Sequence, residues 1–391
     1  MHKKIDLGSK VLFISSWYPT YIKPTNGNFI FKHAECAAIN NNIRFIHVCI
    51  DHDLKENAKT DISSDPFYSE VVYLKASDIF LLKGFINYLK IIFTYFSLFK
   101  KLHSNGFKPD LVHANVVFPI GIVAFLYKLL YRIPYIISEH WTGYHSYAKE
   151  KPSKFQLLIM RMIAKKSSCL LPVSEDLKNA MIKNGLKSNY TIIPNVVNTK
   201  KFTVQLNENN SSLIRIVHIS TLNENQKNFR LLLQSFYNAK QKQQNIELHI
   251  VSEGGFEQYQ DFIKELKLDQ SIVFHGVLKT DEVAEVLKAG SFFVLSSNYE
   301  NLPCVLIESL ACGVPVVSTN VGGISEIINE NNGILVSPNN EVEFSNALLK
   351  MIENYKTYNK EQIKKDADER YSYSAVARAL DVIYQKYEKK C

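Results

Sequence analysis

Short runs of β-branched and aromatic residues alternate with stretches of helical spacing along the whole chain, and this alternation limits the fold more than any other feature. In the first half the runs read KVLFISS (10–16), IRFIHVCI (43–50), VVYL (71–74), DLVHA (110–114), PYIIS (134–138), CLLPV (169–173) and TIIP (191–194). In the second half they read RIVHIS (215–220), ELHIVS (247–252), IVFHG (272–276), FFVLSS (292–297), PVVST (315–319) and GILV (333–336). Such alternation implies parallel sheets covered by helices on both faces. The expected fold class is α/β, with two Rossmann-like doubly wound domains facing across a cleft. The segment TKKFTVQLNENNSSL (199–213) is polar and rich in Asn and Ser, which marks it as a linker. The expected division is therefore 1–204 and 205–373, followed by a C-terminal helix over 374–391. That helix, read from AVARALDVIYQKYEKK (375–390), can pack back on the first domain. Ligands of open α/β sheets bind beyond the carboxyl ends of the strands, so the residues directly after each run are the candidates for chemistry.

Charge separates the two halves. Residues 1–200 carry 26 Lys and Arg against 14 Asp and Glu, whereas the remainder carries 20 against 24. A basic first domain suits an anionic partner. Between Ile79 and Lys108 no acidic residue occurs, and lysines mix with Phe, Tyr, Leu and Ile. That mixture fits an interfacial amphipathic helix on an anionic membrane better than a nucleic-acid groove, the other reading being a core helix whose lysines snorkel. KFQLLIMRMIAKK (154–166) has the same character. No apolar run is long enough to cross a bilayer, and the apolar run after Lys10 is too short for a signal peptide. The six cysteines form no CxxC pair, which points to a reducing compartment with neither a disulfide framework nor a zinc site.

The stretch YENLPCVLIESLACGVPVVST (299–319) carries two glutamates. Pro303 suits the start of a helix and Gly313 its end, so Glu300 falls in the loop after FFVLSS and Glu308 about two turns into the helix. A carboxylate among Val305, Leu306, Ile307, Leu310 and Ala311 needs donors. A ribose diol supplies two hydroxyls; a cap or a nearby lysine is the alternative. Lys227, in HISTLNENQKNFRLLLQSF (218–236), precedes a helix starting near Asn228 and is either an anion anchor or a solvated lysine. Gly27 and Asn28 follow the first strand, where glycine permits close approach to an anion or simply makes a turn. His140 follows PYIIS and His113 lies in DLVHA; each is a substrate contact or a structural histidine. Trp141 and Tyr144 offer flat faces for stacking or are core aromatics. Gly254, with Gly255, marks a tight turn without the GxGxxG spacing of a dinucleotide site.

Taken together, these blocks resemble glycosyltransferase family 4, retaining enzymes with the GT-B fold. The resemblance rests on ENLPCVLIESLACGVPVVST followed by VGGISEII (321–328), with SSWYPTYIKPTNGNF (15–29), DLVHANVVFPIG (110–121), IISEH (136–140), PVSEDL (172–177) and IPNVVNTKKF (193–202) in family order. It implies that Glu308 holds the nucleotide ribose and that Glu300 sits beside the donor sugar. The backbone of Asn301 and Leu302 would point to that sugar, His140 would contact it, and His113, Trp141 and Tyr144 would bind the acceptor. Lys227 would meet the diphosphate, with Thr221 and Gly254 nearby. The family's arginine, expected a few residues before Lys227, is replaced by Ser220-Thr221-Leu222, which leaves Arg230 as a substitute.

The resemblance implies a hexosyltransferase that moves a sugar from a nucleotide-sugar donor to a glycan or lipid-linked acceptor. The implied setting is bacterial cell-surface polysaccharide or lipopolysaccharide assembly, on the cytoplasmic face of the membrane. No metal or other cofactor is expected, because Lys227 and backbone amides can stabilise the leaving diphosphate. No carboxylate is evident as a nucleophile, which favours front-face attack with retention. A nucleotide-sugar epimerase, an oxidoreductase and a non-enzymatic membrane adaptor are the competing readings; the missing GxGxxG weighs against the oxidoreductase.

Overall fold

A computed structural model describes residues 8–78, 83–148, 150–205 and 212–389. The chain forms two compact units. The first comprises Met1–Val173, Leu177–Pro194 and Val376–Cys391; the second comprises Ser174–Asp176 and Asn195–Ala375.

The first unit contains β1 (Lys10–Ser15), α1 (Asn28–Ala38), β2 (Asn42–Asp51), β3 (Ala58–Ser63), β4 (Tyr68–Lys75), α2 (Lys83–Ser104) and β5 (Leu111–Asn115). It continues through α3 (Ile120–Tyr131), β6 (Tyr135–Glu139), α4 (Lys154–Lys166), β7 (Cys169–Pro172) and most of α5 (Glu175–Lys183). Its seven-stranded sheet runs β3-β4-β2-β1-β5-β6-β7. All neighbours are parallel except β3, which pairs antiparallel with β4, Ala58 opposite Leu74. Val11, Leu12, Phe13 and Ile14 of β1 are fully buried, as a strand covered on both faces requires. By contrast β3 is exposed throughout and mostly polar, an edge that pattern reading passes over.

The second unit contains β8 (Ile214–Ile219), α6 (Glu224–Lys227), α7 (Phe229–Lys242), β9 (Ile246–Val251), α8 (Gln260–Glu265), β10 (Ile272–Gly276) and α9 (Thr280–Ala289). Then follow β11 (Phe292–Leu295), α10 (Cys304–Ala311), β12 (Val316–Thr319), β13 (Gly333–Val336), α11 (Glu341–Asn354), α12 (Lys360–Tyr371) and the start of α13 (Tyr373–Tyr387). Its sheet is parallel throughout, ordered β10-β9-β8-β11-β12-β13. Phe229, Phe236, Phe292, Tyr259 and Met351 fill the core between the sheet and the α7 and α11 side.

The parallel strands of each sheet reverse their order once, at β1/β5 in the first unit and at β8/β11 in the second. Loops leaving neighbouring strands at such a point diverge to opposite faces and open a crevice, which is where ligands of these folds bind.

Two local expectations differ from the structure. TIIP (191–194) forms no strand; only Tyr190 makes a bridge, to Leu170. Thr191 and Ile193 donate to Leu170 O and Pro172 O, at 3.1 Å each, so the segment follows the sheet edge without a continuous ladder. The chain divides at Pro194/Asn195, about ten residues before the boundary at 204/205. Part of the expected linker, 206–211, lies outside the described residues. The residues from Val376 onward belong to the first unit, where Tyr384 Oη meets His113 Nδ1 at 2.9 Å and Lys389 N donates to Asp110 O at 2.9 Å.

Candidate active site

In the second unit the site grows from two loops at the switch point. Helix α6 ends at Lys227, and Asn228 adopts a left-handed conformation before α7 begins. Opposite, β11 runs into Ser296 and Ser297, both fully buried. Ser296 Oγ donates to Lys227 O at 2.8 Å, Asn298 N donates to Gln226 O at 2.7 Å, and Asn298 Nδ2 donates to Asn225 O at 3.1 Å. The loops are thus stitched together, and their side chains meet. Lys227 Nζ pairs with Glu300 Oε1, which also accepts Ser297 Oγ at 2.7 Å. The two side chains are 12% and 7% exposed, so each charge depends on the other.

Behind Glu300 the chain turns back through Val321-Gly322-Gly323. Gly322 has φ 56°, and a Cβ there would lie 1.9 Å from Glu300 O. Gly323 N donates to Asn301 O at 2.8 Å, and Asn195 Nδ2 donates to Leu302 O at 2.6 Å. The backbone of 300–302 is therefore held on two sides. Asn301 and Leu302 are buried. Pro303 caps α10, and Glu308 sits half-buried one turn into that helix rather than two, because the helix starts only at Cys304. Thr221 is exposed after β8. The Gly254-Gly255 turn lies beside it, a Cβ on Gly255 falling 3.8 Å from Thr221 O. Arg230 places its guanidinium over Phe262 and Tyr259, 4.9 and 5.9 Å from their ring centroids.

In the first unit His140 follows β6 directly. Its ring packs on Phe29 at 4.6 Å and on His33 at 5.4 Å, two residues one turn apart on α1. That helix starts after Gly27, whose φ of 73° and close approach to Trp17 and Tyr18 leave no room for a Cβ: it would lie 2.7 Å from Trp17 C. Asn28 is the first residue of α1. Beneath His140 lies Glu139, fully buried, which sequence reading quoted within IISEH but gave no role.

Two acceptor assignments are corrected. His113 is fully buried, with Nδ1 2.9 Å from Tyr384 Oη and Nε2 2.7 Å from Ser138 Oγ. Both ring nitrogens are occupied internally, and burial lowers its pKa to about 3, so it is a structural histidine. Tyr144 is also buried, and its hydroxyl donates to Glu139 Oε2 at 2.7 Å, so it offers no face to a sugar. Trp141 remains half-buried, edge-on to Tyr144 at 5.6 Å. Glu139 and Asn195 were missed; the only signal was their place directly after a strand-like run.

Comparison with known proteins places this arrangement. The structure is similar to Anabaena Alr3699/HepE in complex with UDP and glucose, with a TM-score of 0.71 and 18% identity, over 96% of this chain and 99% of that one. Two parallel-sheet α/β units of this kind define the GT-B glycosyltransferase fold. The Glycosyltransferase Family 4 model matches residues 46–201, and the Glycosyl transferases group 1 model matches residues 214–354. The chain belongs to glycosyltransferase family 4. It is 29% identical over 226 residues to lipopolysaccharide 1,6-galactosyltransferase of Escherichia coli (strain K12), spanning 56% of this chain and 62% of the relative. It is 27% identical over 247 residues to the uncharacterized glycosyltransferase MJ1178 of Methanocaldococcus jannaschii, spanning 63% and 66%. The alignments thus span just under two thirds of these relatives' own lengths.

Proposed function

We propose that the protein transfers a hexose from a nucleotide sugar to a glycan or lipid-linked acceptor in bacterial cell-surface polysaccharide or lipopolysaccharide assembly. The observation that carries this reading is the meeting of Lys227 and Glu300 at the β8/β11 switch point, with Glu308 one turn into the adjoining helix. A cation and two carboxylates so placed match the three parts of a nucleotide sugar: pyrophosphate, sugar hydroxyls and ribose diol. The UDP and glucose bound by Alr3699/HepE, and the lipopolysaccharide galactosyltransferase relative, support the donor class and the setting.

In this reading Lys227 and backbone amides of the Thr221 and Gly254 loops take up the charge that develops on the leaving diphosphate. Glu300 orients the sugar through its hydroxyls, Asn301 and Leu302 line it with backbone, and His140 touches it during transfer. Gly27 and Asn28 lend the α1 N-terminus to the anion. Attack comes from the leaving-group face, a diphosphate oxygen accepting the acceptor's proton, so configuration is retained without a metal. Trp141 is left as the aromatic contact for the acceptor.

The acceptor side carries a membrane reading. On α4, Phe155, Leu158 and Met162 are exposed at helical spacing, flanked by Lys154, Arg161, Lys165 and Lys166. No acidic residue occurs between Glu150 and Glu175. On α2, Phe85 and Phe93 are exposed with Lys90 and Lys100, while residues 79–82 of that expected helix lie outside the described residues. Apolar stripes edged by cations suit an anionic bilayer surface. No helix among the described residues is long and apolar enough to cross a membrane. The enzyme is expected to act as a peripheral protein on the cytoplasmic face of the membrane.

A thermal-shift panel of UDP-, GDP- and ADP-sugars tests the donor class; no stabilisation by any of them overturns it. The same donor is then incubated with and without acceptor. Conversion of the sugar without acceptor identifies an epimerase instead. Turnover unaffected by EDTA is expected; loss restored by manganese contradicts the metal-free scheme. Flotation with phosphatidylglycerol vesicles, and not with phosphatidylcholine alone, tests the membrane reading.

A further inference from the structure

Glu139 is a carboxylate with no exposure, and every hydrogen bond it makes is to a donor on a loop at the carboxyl edge of the first unit's sheet. Its Oε1 accepts His140 N at 2.8 Å and Trp141 N at 2.9 Å. Its Oε2 accepts Val117 N at 2.8 Å and Tyr144 Oη at 2.7 Å. Three of the four partners are backbone N–H groups, which only donate, so both oxygens act as acceptors. Burial pushes its pKa up, and these four donors act against that push.

The bonds join two loops that leave adjacent strands, β5 and β6. The β5 loop holds Val116 at φ 77°, a left-handed conformation that costs a β-branched residue energy and persists only when its surroundings enforce it. Val116 N donates to Ser138 O at 2.7 Å, and the next N–H, from Val117, goes to Glu139. The same carboxylate thus fixes a strained turn on one side and the backbone of His140 on the other. The His140 ring is held independently, against Phe29 and His33.

We propose that Glu139 is a positioning residue: its buried carboxylate locks the backbone of His140 and Trp141 to the Val116–Val117 turn, fixing where the imidazole is presented to the transferred sugar. The proposal rests on the assignment of His140 to that sugar. Misplacing a reacting group by about 1 Å costs on the order of 100-fold in rate. A buried carboxylate that serves only the fold affects stability instead.

The test is a double-mutant cycle of Glu139→Gln and His140→Ala, using the sugar nucleotide that stabilises the protein most in the panel. Glutamine keeps the shape and one acceptor oxygen but sets an N–H₂ against backbone N–H groups. Alone, Glu139→Gln is expected to lower kcat by roughly 10- to 100-fold while donor affinity by calorimetry stays within about twofold. On the His140→Ala background it is expected to change the residual rate by less than about twofold, because its effect runs through His140. An equal loss on both backgrounds overturns the proposal and makes Glu139 a fold residue. Wild-type kcat in His140→Ala alone overturns the reading of His140, and the positioning role with it. Should Glu139→Gln fail to fold, Tyr144→Phe replaces it in the cycle; it removes one donor from the same carboxylate and is expected to give a smaller loss that also vanishes without His140.

Discussion

Lys227 Nζ and Glu300 Oε1 form an ion pair between residues 73 positions apart in the chain, and Ser297 Oγ donates to the same glutamate oxygen. The two groups assigned to different parts of a donor, its pyrophosphate and its sugar, hold each other. A site of this kind keeps both charges compensated and pre-placed, so ordering them on binding costs little. Under the proposed function, donor binding exchanges one partner for another, the diphosphate for Glu300 and the sugar hydroxyls for Lys227.

Glu300→Gln removes the competitor for Lys227. Nucleoside diphosphate without a sugar is expected to bind as tightly as to wild type or up to about tenfold tighter, while transfer falls by at least roughly 100-fold. Calorimetry and initial rates check this. Weaker diphosphate binding would mean that Glu300 is not Lys227's competitor.

Lys227→Ala and Glu308→Ala separate phosphate from ribose. Both are expected to weaken nucleoside diphosphate binding by about tenfold or more, in line with loss of a charged hydrogen bond. Only Lys227→Ala should weaken inorganic pyrophosphate, which has no ribose for Glu308 to hold. Equal effects of both variants on pyrophosphate would remove the ribose assignment.

Gly322→Ala tests the support of Glu300. The new Cβ meets Glu300 O at 1.9 Å and sits at a φ of 56°, so backbone must move. A loss of about 2–4 kcal/mol in unfolding free energy is expected, with a fall in donor affinity, because the displaced backbone carries Glu300. Denaturant titration and calorimetry measure the two effects; a stable variant with unchanged affinity contradicts the close packing.

Acid stability follows from buried imidazoles. Burial lowers the pKa of His33, His47 and His218 to about 4 and that of His113 to about 3, from 6.5. Between pH 6.5 and about 4 the unfolded chain binds protons that the folded one does not. Stability is therefore complete above pH 6.5 and is lost as pH falls through that window. Each histidine contributes a loss of about 2 kcal/mol between pH 6.5 and 5. His33, His47 and His113 lie in the first unit, as do both tryptophans, Trp17 and Trp141. Tryptophan fluorescence should therefore report a large drop in the first unit's denaturation midpoint from pH 7 to pH 5, whereas a flat midpoint would show that these rings are not held neutral.

Much of this was legible beforehand where one residue type has one local use. The apolar runs other than TIIP became strands because a parallel sheet covered on both faces tolerates little else, and Pro303 and Gly313 bounded α10 through backbone geometry alone. Residues that act through their neighbours were not legible. β3 is exposed along its length and becomes a strand only because β4 offers it an edge. His113 and Tyr144 read as rim residues, yet Ser138, Tyr384 and Glu139 turn them inward.

The sequence by itself determined the order of elements, the family, and which residue types stand after each strand, because hydrophobic periodicity and local backbone preference act over a few residues. Only the tertiary structure decided which of those residues meet. Lys227 finds Glu300, Glu139 gathers donors from two loops, and Gly322 supports Glu300 from behind, because strand order sets which loops are neighbours and burial makes each charge there depend on a partner distant in the chain.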